Sequence, residues 1–70
     1  MTARTPDDAR HRPQVGDVST STDGGTLTVM TVYPTTLSVR RSDGFTYGID
    51  KSDWARDPYG VWTWTPGGAS

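Results

Sequence analysis

Turn signals recur so often along residues 15–65 that no long regular element fits between them. Thr26–Tyr33, Thr36–Arg41, Gly44–Asp50 and Val61–Thr65 each alternate in the manner of a half-buried strand. Asp23-Gly24-Gly25, Tyr33-Pro34-Thr35 and Ser42-Asp43-Gly44 separate them with residues suited to turns. No stretch repeats at helical period. The spacing predicts an all-β fold of short strands, rolled into a small barrel.

Composition supports that reading where it bears on local structure. Glu and Asn are absent, every acidic side chain is Asp, and Thr, Ser, Val and Gly dominate. β-branched residues suit a pleated surface, and the loss of Glu removes a strong helix former. Seventy residues allow one domain with one small core. With no Cys there is neither a disulfide nor a cysteine-based zinc site. The formal net charge of −1 gives no pull toward a polyanion. No apolar run is long enough to span a bilayer, and the first residues lack the apolar core of a secretion signal. The expectation is a cytoplasmic protein with no membrane contact.

The chain divides into a flexible N-terminal tail (residues 1–13), a small β-barrel domain (14–66) and a flexible C-terminal end (67–70). Thr5-Pro6-Asp7-Asp8 has the form of a helix start, with a capping hydroxyl, Pro in the first turn and acids at the positive dipole end. Pro13 stops any such helix within two turns, and an isolated helix that short is marginal in water. The tail is therefore expected to hold no more than a nascent turn.

Within the domain, Val15-Gly16-Asp17-Val18 starts the first strand, with a bend or bulge at Gly16-Asp17. Thr26–Tyr33 is apolar on both faces, as in a curved strand that changes the side it buries. Pro34 cannot supply the positive φ of a primed turn, so a longer loop built on a type I turn is expected there. Leu37 and Val39 should pair with Phe45, Tyr47 and Ile49 on one buried face. Ser52–Ala55 fits a single helical turn capped by Ser52 or Asp50, and Val61–Thr65 closes the sheet. The expected core is Val15, Val18, Leu27, Val29, Val32, Leu37, Val39, Phe45, Ile49, Trp54 and Trp62.

This order of elements resembles the Src-homology-3-like small barrels over roughly residues 14–66. The residues that carry the likeness are Val15-Gly16-Asp17-Val18, the Asp23-Gly24-Gly25 turn, the stretch from Val32 to Val39, the Asp43-Gly44 hairpin and Trp54. The resemblance implies five strands, with one short helical turn before the last. The first part is also similar to KOW-type barrels, which carry basic residues around the first loop. Here that loop, residues 19–25, has no positive charge.

Two candidate surfaces stand out. Three tryptophans fall in the last seventeen residues. If Trp62 and Trp64 face inward they close the core; a shift of one residue places both outside as an aromatic platform. The inward register is preferred. Tyr47, Tyr59, Trp62 and Trp64 form the candidate binding surface, because exposed Trp and Tyr dominate binding hot spots. Arg40, Lys51 and Arg56 are candidate nucleic-acid contacts, since cations beside rings suit single strands. Arg41 has inward parity at a turn, where it can pair with Asp43.

Catalytic chemistry is poorly supplied. His11 is the single His and lies in the tail, and no Ser has a neighbouring base. Asp50, Asp53 and Asp57 are explained first by caps and turns. No metal, cofactor or enzymatic activity is expected. Three functions remain open: a module binding a protein or peptide through the aromatics near the closing strand, a weak KOW-like nucleic-acid binder, or an assembly protein acting as an oligomer.

Overall fold

The structure, a computed structural model, describes residues 4–67. Seven elements follow in order: α1 (Pro6–His11), β1 (Val18–Ser21), β2 (Thr26–Val32), β3 (Thr36–Arg41), β4 (Thr46–Asp50), α2 (Lys51–Ala55) and β5 (Trp62–Thr65). The strands form one five-stranded antiparallel sheet in the order β4-β3-β2-β1-β5. β4 and β5 are its two edges and do not pair, so the expected closed barrel is an open sheet instead. The sheet curves enough that residues of both edges line the same cavities on its concave side.

Local chemistry explains the turns. Gln14 O accepts from Asp17 N–H (3.0 Å) with Gly16 at φ 96°, the position a type II turn reserves for glycine. Gly16 and Asp17 then both oppose Val29, through Gly16 N–H to Val29 O and Val29 N–H to Asp17 O, each 2.9 Å. Two residues against one is a β-bulge, where the bend was expected. The β1–β2 and β3–β4 hairpins share one design. Gly24 and Gly44 take φ 94° and 93°, and their N–H groups bond back to Ser21 O and Arg41 O. The Asp23 and Asp43 carboxylates accept from the Gly25 and Phe45 N–H groups. The Tyr33-Pro34-Thr35 connection is shorter than expected. Tyr33 N–H reaches Thr36 O at 2.9 Å, with no positive φ at Pro34 or Thr35.

The register shifts between Val29 and Thr31, so that Val29 opposes Val39 while Val32 opposes Leu37. This irregularity reconciles a strand with apolar residues of both parities. The core holds Ala9, Val29, Leu37, Val39, Trp54 and Trp64, with Leu27, Tyr47, Ile49 and Trp62 packed against it. Val15, Val32 and Phe45, expected inside, are exposed. Val15 sits in the turn before β1, Val32 at the far end of β2, and Phe45 beyond the end of β4.

The segment read as a tail contributes to the core. Thr5 and Asp8 form a reciprocal capping box, Thr5 Oγ1 accepting from Asp8 N–H and Asp8 Oδ2 from Thr5 N–H. α1 ends at His11, before Pro13, and packs against β5 and α2 with Ala9 fully buried. Docking supplies what a six-residue helix lacks alone. Residues 68–70 of the expected C-terminal end lie outside the described residues. Among the described residues no helix is long and apolar enough to cross a membrane.

Candidate binding groove

The ends of the curved sheet converge on a groove of about 370 Å³. Leu27 of β2 lies at its base. Tyr47 of β4 and Trp62 of β5, both half-buried, stand on either side, and Ser21, Asp23 and Arg41 contribute polar groups from the two hairpins. Strand pairing explains the convergence. Ser21 opposes Trp62, Leu27 opposes Arg41 and Val39 opposes Tyr47, so all share the concave face.

Electrostatics at this end are locally balanced. Arg41 Nη2 pairs with Asp43 Oδ2 at 2.6 Å, and its guanidinium lies 5.6 Å from the centre of the Phe45 ring. Phe45, 57% exposed, stacks on Tyr47 with centroids 5.8 Å apart. The Phe45 N–H and the Arg41 guanidinium hold the Asp43 carboxyl below its ordinary pKa. The Ser21 hydroxyl and the Gly25 N–H do the same for Asp23. Arg41 and Asp43 therefore meet as the sequence suggested, leaving Leu27, Tyr47, Val61 and Trp62 as the apolar lining of the groove, with Phe45 stacked on Tyr47 beside it.

The other predicted aromatics separate. Trp62 and Trp64 share the inward face, the preferred register, but their environments differ. Trp64 is 6% exposed and lies beneath α1, with the Arg10 guanidinium 4.4 Å from its ring centre. It therefore presents no contact surface. Its indole N–H donates to Trp54 O (3.2 Å), the Trp54 indole N–H donates to Ala9 O (2.9 Å), and Arg10 Nε donates to Ala55 O (2.8 Å). These bonds tie α1, α2 and β5 together. Tyr59, 86% exposed, lies in the loop before β5 and outside the groove.

The candidate nucleic-acid contacts are not brought together. Arg40 opposes Thr28 and Thr46 on the convex face. Arg56 lines a second cavity on the concave side, beside Trp54, Ile49 and Trp62. Lys51 opens α2, its N–H bonded to Thr35 O. Among the three acids weighed for catalysis, Asp57 accepts from the Val61 and Trp62 N–H groups, and Asp50 occupies the N-cap of α2 without a side-chain cap bond. Among the described residues, no three His or acidic side chains gather as a metal would require.

One feature escaped the sequence reading. Asp17 is 0% exposed and accepts from Arg4, Gln14 N–H (2.8 Å) and Gly67 N–H (2.9 Å). Arg4 also reaches Arg12 O at 2.9 Å. Burial pushes the Asp17 carboxyl up, but Arg4 and the two backbone donors outweigh it, and the net displacement is downward. Gly67 is required there, because an ideal Cβ would fall 1.6 Å from Gly16 O. Gln14 is three residues from Asp17, but Arg4 and Gly67 lie thirteen and fifty positions away, and the one local signal is an acid between Val15 and Val18 just before β1.

Compared with protein-family models, with curated proteins and with solved structures, the chain finds no match.

Proposed function

We propose that this protein is a non-catalytic binding module of the Src-homology-3-like kind, which takes an extended segment of a protein partner into the groove between Tyr47 and Trp62. The observation that carries the reading is that groove: the half-buried rings of Tyr47 and Trp62, from the two edges of the sheet, line one cavity with Leu27 and with hydrogen-bonding groups of Ser21, Asp23 and Arg41. Rings of this kind supply large contact area at little entropic cost, and polar neighbours orient what lies between them. The strand order β4-β3-β2-β1-β5, with a short helix immediately before β5, supports the family resemblance. Arg40 and Arg56 lie on opposite faces of the sheet, which weighs against the nucleic-acid alternative.

A peptide-display selection against the wild-type chain tests this, followed by titration of the enriched peptides while indole and tyrosine resonances are recorded. The Trp62 indole and Tyr47 ring signals should move together. Trp62→Ala should weaken binding by at least ~10-fold, as removal of a hot-spot ring does. Peptides that bind Trp62→Ala as well as wild type would overturn the groove reading. Salt-sensitive binding of short oligonucleotides, unaffected by Trp62→Ala, would favour nucleic acid instead.

A further inference from the structure

The two edges of the sheet are finished differently. In the β3–β4 ladder, Arg41 N–H donates to Phe45 O (2.7 Å) and Lys51 N–H donates to Thr35 O (3.0 Å). Antiparallel strands alternate residues that turn both backbone groups toward the partner with residues that turn both away. Phe45, Tyr47, Ile49 and Lys51 therefore face β3. Thr46 and Gly48 direct both their N–H and C=O groups outward, and Asp50 directs its N–H outward while its C=O opens α2; all three are exposed, and their amides meet no acceptor among the described residues.

β5 is guarded by contrast. Thr22 N–H donates to Val61 O (3.0 Å), so Trp62, Trp64 and Pro66 direct their backbone outward. Asp57 takes the Trp62 N–H (3.2 Å), Pro66 has no N–H, and α1 packs against the strand. β4 has no Pro, Lys or Arg and no register shift to blunt it, and its one charge, Asp50, sits at the end of the strand.

Gly48, at the centre of β4, has no internal reason to be glycine. An ideal Cβ there meets nothing nearer than Leu37 O at 3.7 Å, an ordinary contact, and its φ is not positive. Glycine within a strand costs stability, and often marks a place where another backbone approaches.

From the bare edge and this glycine we infer that β4 pairs antiparallel with β4 of a second copy about a two-fold axis at Gly48, joining two sheets into one. The strip is self-complementary in that register. Gly48 meets its own equivalent, and Thr46 lies opposite Asp50 of the second copy, with no like charges facing. Tyr47 lies opposite Ile49 of the second copy on the concave side, and the exposed Phe45 opposite its Lys51. With the Asp50 C=O engaged in α2, the outward groups supply about four hydrogen bonds. A heterologous partner would need a matching strand of its own; the second copy already carries one. The inference does not depend on the groove reading.

Sedimentation velocity from ~1 µM to ~1 mM spans the affinities expected of so short an edge. The weight should rise toward two copies, and the Thr46, Gly48 and Asp50 amides should become protected from hydrogen exchange over the same range. Thr46→Asp places a carboxylate opposite Asp50 of the second copy but beside Arg40 of its own β3. It should keep the fold and weaken association at least ~10-fold. Gly48→Pro removes an outward donor without breaking a bond to β3, and should do the same. A monomer at the highest concentration overturns the inference. So does association that leaves those three amides unprotected or that Thr46→Asp does not weaken, and so does protection that appears only when a foreign peptide is added.

Discussion

At Asp17 a carboxylate without exposure gathers Arg4 from before α1, Gln14 from the first turn and Gly67 from beyond β5. Removing one member of such a buried pair leaves the rest unsatisfied. Arg4 keeps some access to water, so the cost falls below that of a fully buried pair. Asp17→Asn should destabilise the fold by about 2–3 kcal/mol in urea unfolding at pH 7. The sign of the pH dependence follows from the lowered pKa. The charged form is favoured in the fold, so its contribution is complete above the ordinary aspartate value of about 3.9 and is lost as pH falls through the lower folded value. The variant should therefore show a shallower acid slope than wild type. The lowered carboxyls of Asp8, Asp23 and Asp43 leave a residual slope. An identical slope in both proteins would contradict this account of Asp17.

The two glycine-centred hairpins show how an element is set by local chemistry alone. Each joins its strands by a tight turn, a glycine in the left-handed region and an Asp carboxylate accepting an N–H two residues on. Around Gly24 and Gly44 there is open space, so a methyl group would meet no atom; only the backbone conformation resists it. Gly24→Ala and Gly44→Ala should each cost about 1–2 kcal/mol by thermal or chemical unfolding, with little change in the folded spectrum. A negligible cost at both would show that the turns relax. β3 and α2 belong to the same class of legible element. Thr36–Arg41 is found with the expected bounds, and Lys51–Ala55 differs by one residue at its start. The Tyr33–Thr36 connection is tighter than its sequence predicts, because Pro34 excludes a primed turn but not a short one.

Across the whole molecule, both termini of the described chain return to the region where the sheet begins. α1 covers Trp64, the Trp54 indole N–H depends on the Ala9 carbonyl, and Asp17 depends on Arg4. A chain lacking residues 1–12 should melt more than about 10 °C below the full chain, the shift expected when a small domain loses 2–3 kcal/mol. Its tryptophan emission should also move to the red as Trp64 meets water. Equal melting temperatures would return residues 1–12 to the status of a dispensable tail.

What the sequence by itself determined was the local part of the fold. Period-two alternation, turn glycines and the capping residues of Thr5 and Asp8 act within a few positions, and they were enough to place β2, β3, the two glycine-centred hairpins and the start of α1, while both parities of Trp62 and Trp64 stayed open. Tertiary structure alone decided which surfaces those elements share. Trp64 is covered because a six-residue helix docks on it, Asp17 is satisfied by groups thirteen and fifty positions away, and the sheet remains open because β4 and β5 do not meet. Such outcomes depend on where distant segments arrive in space, and no local pattern encodes that position.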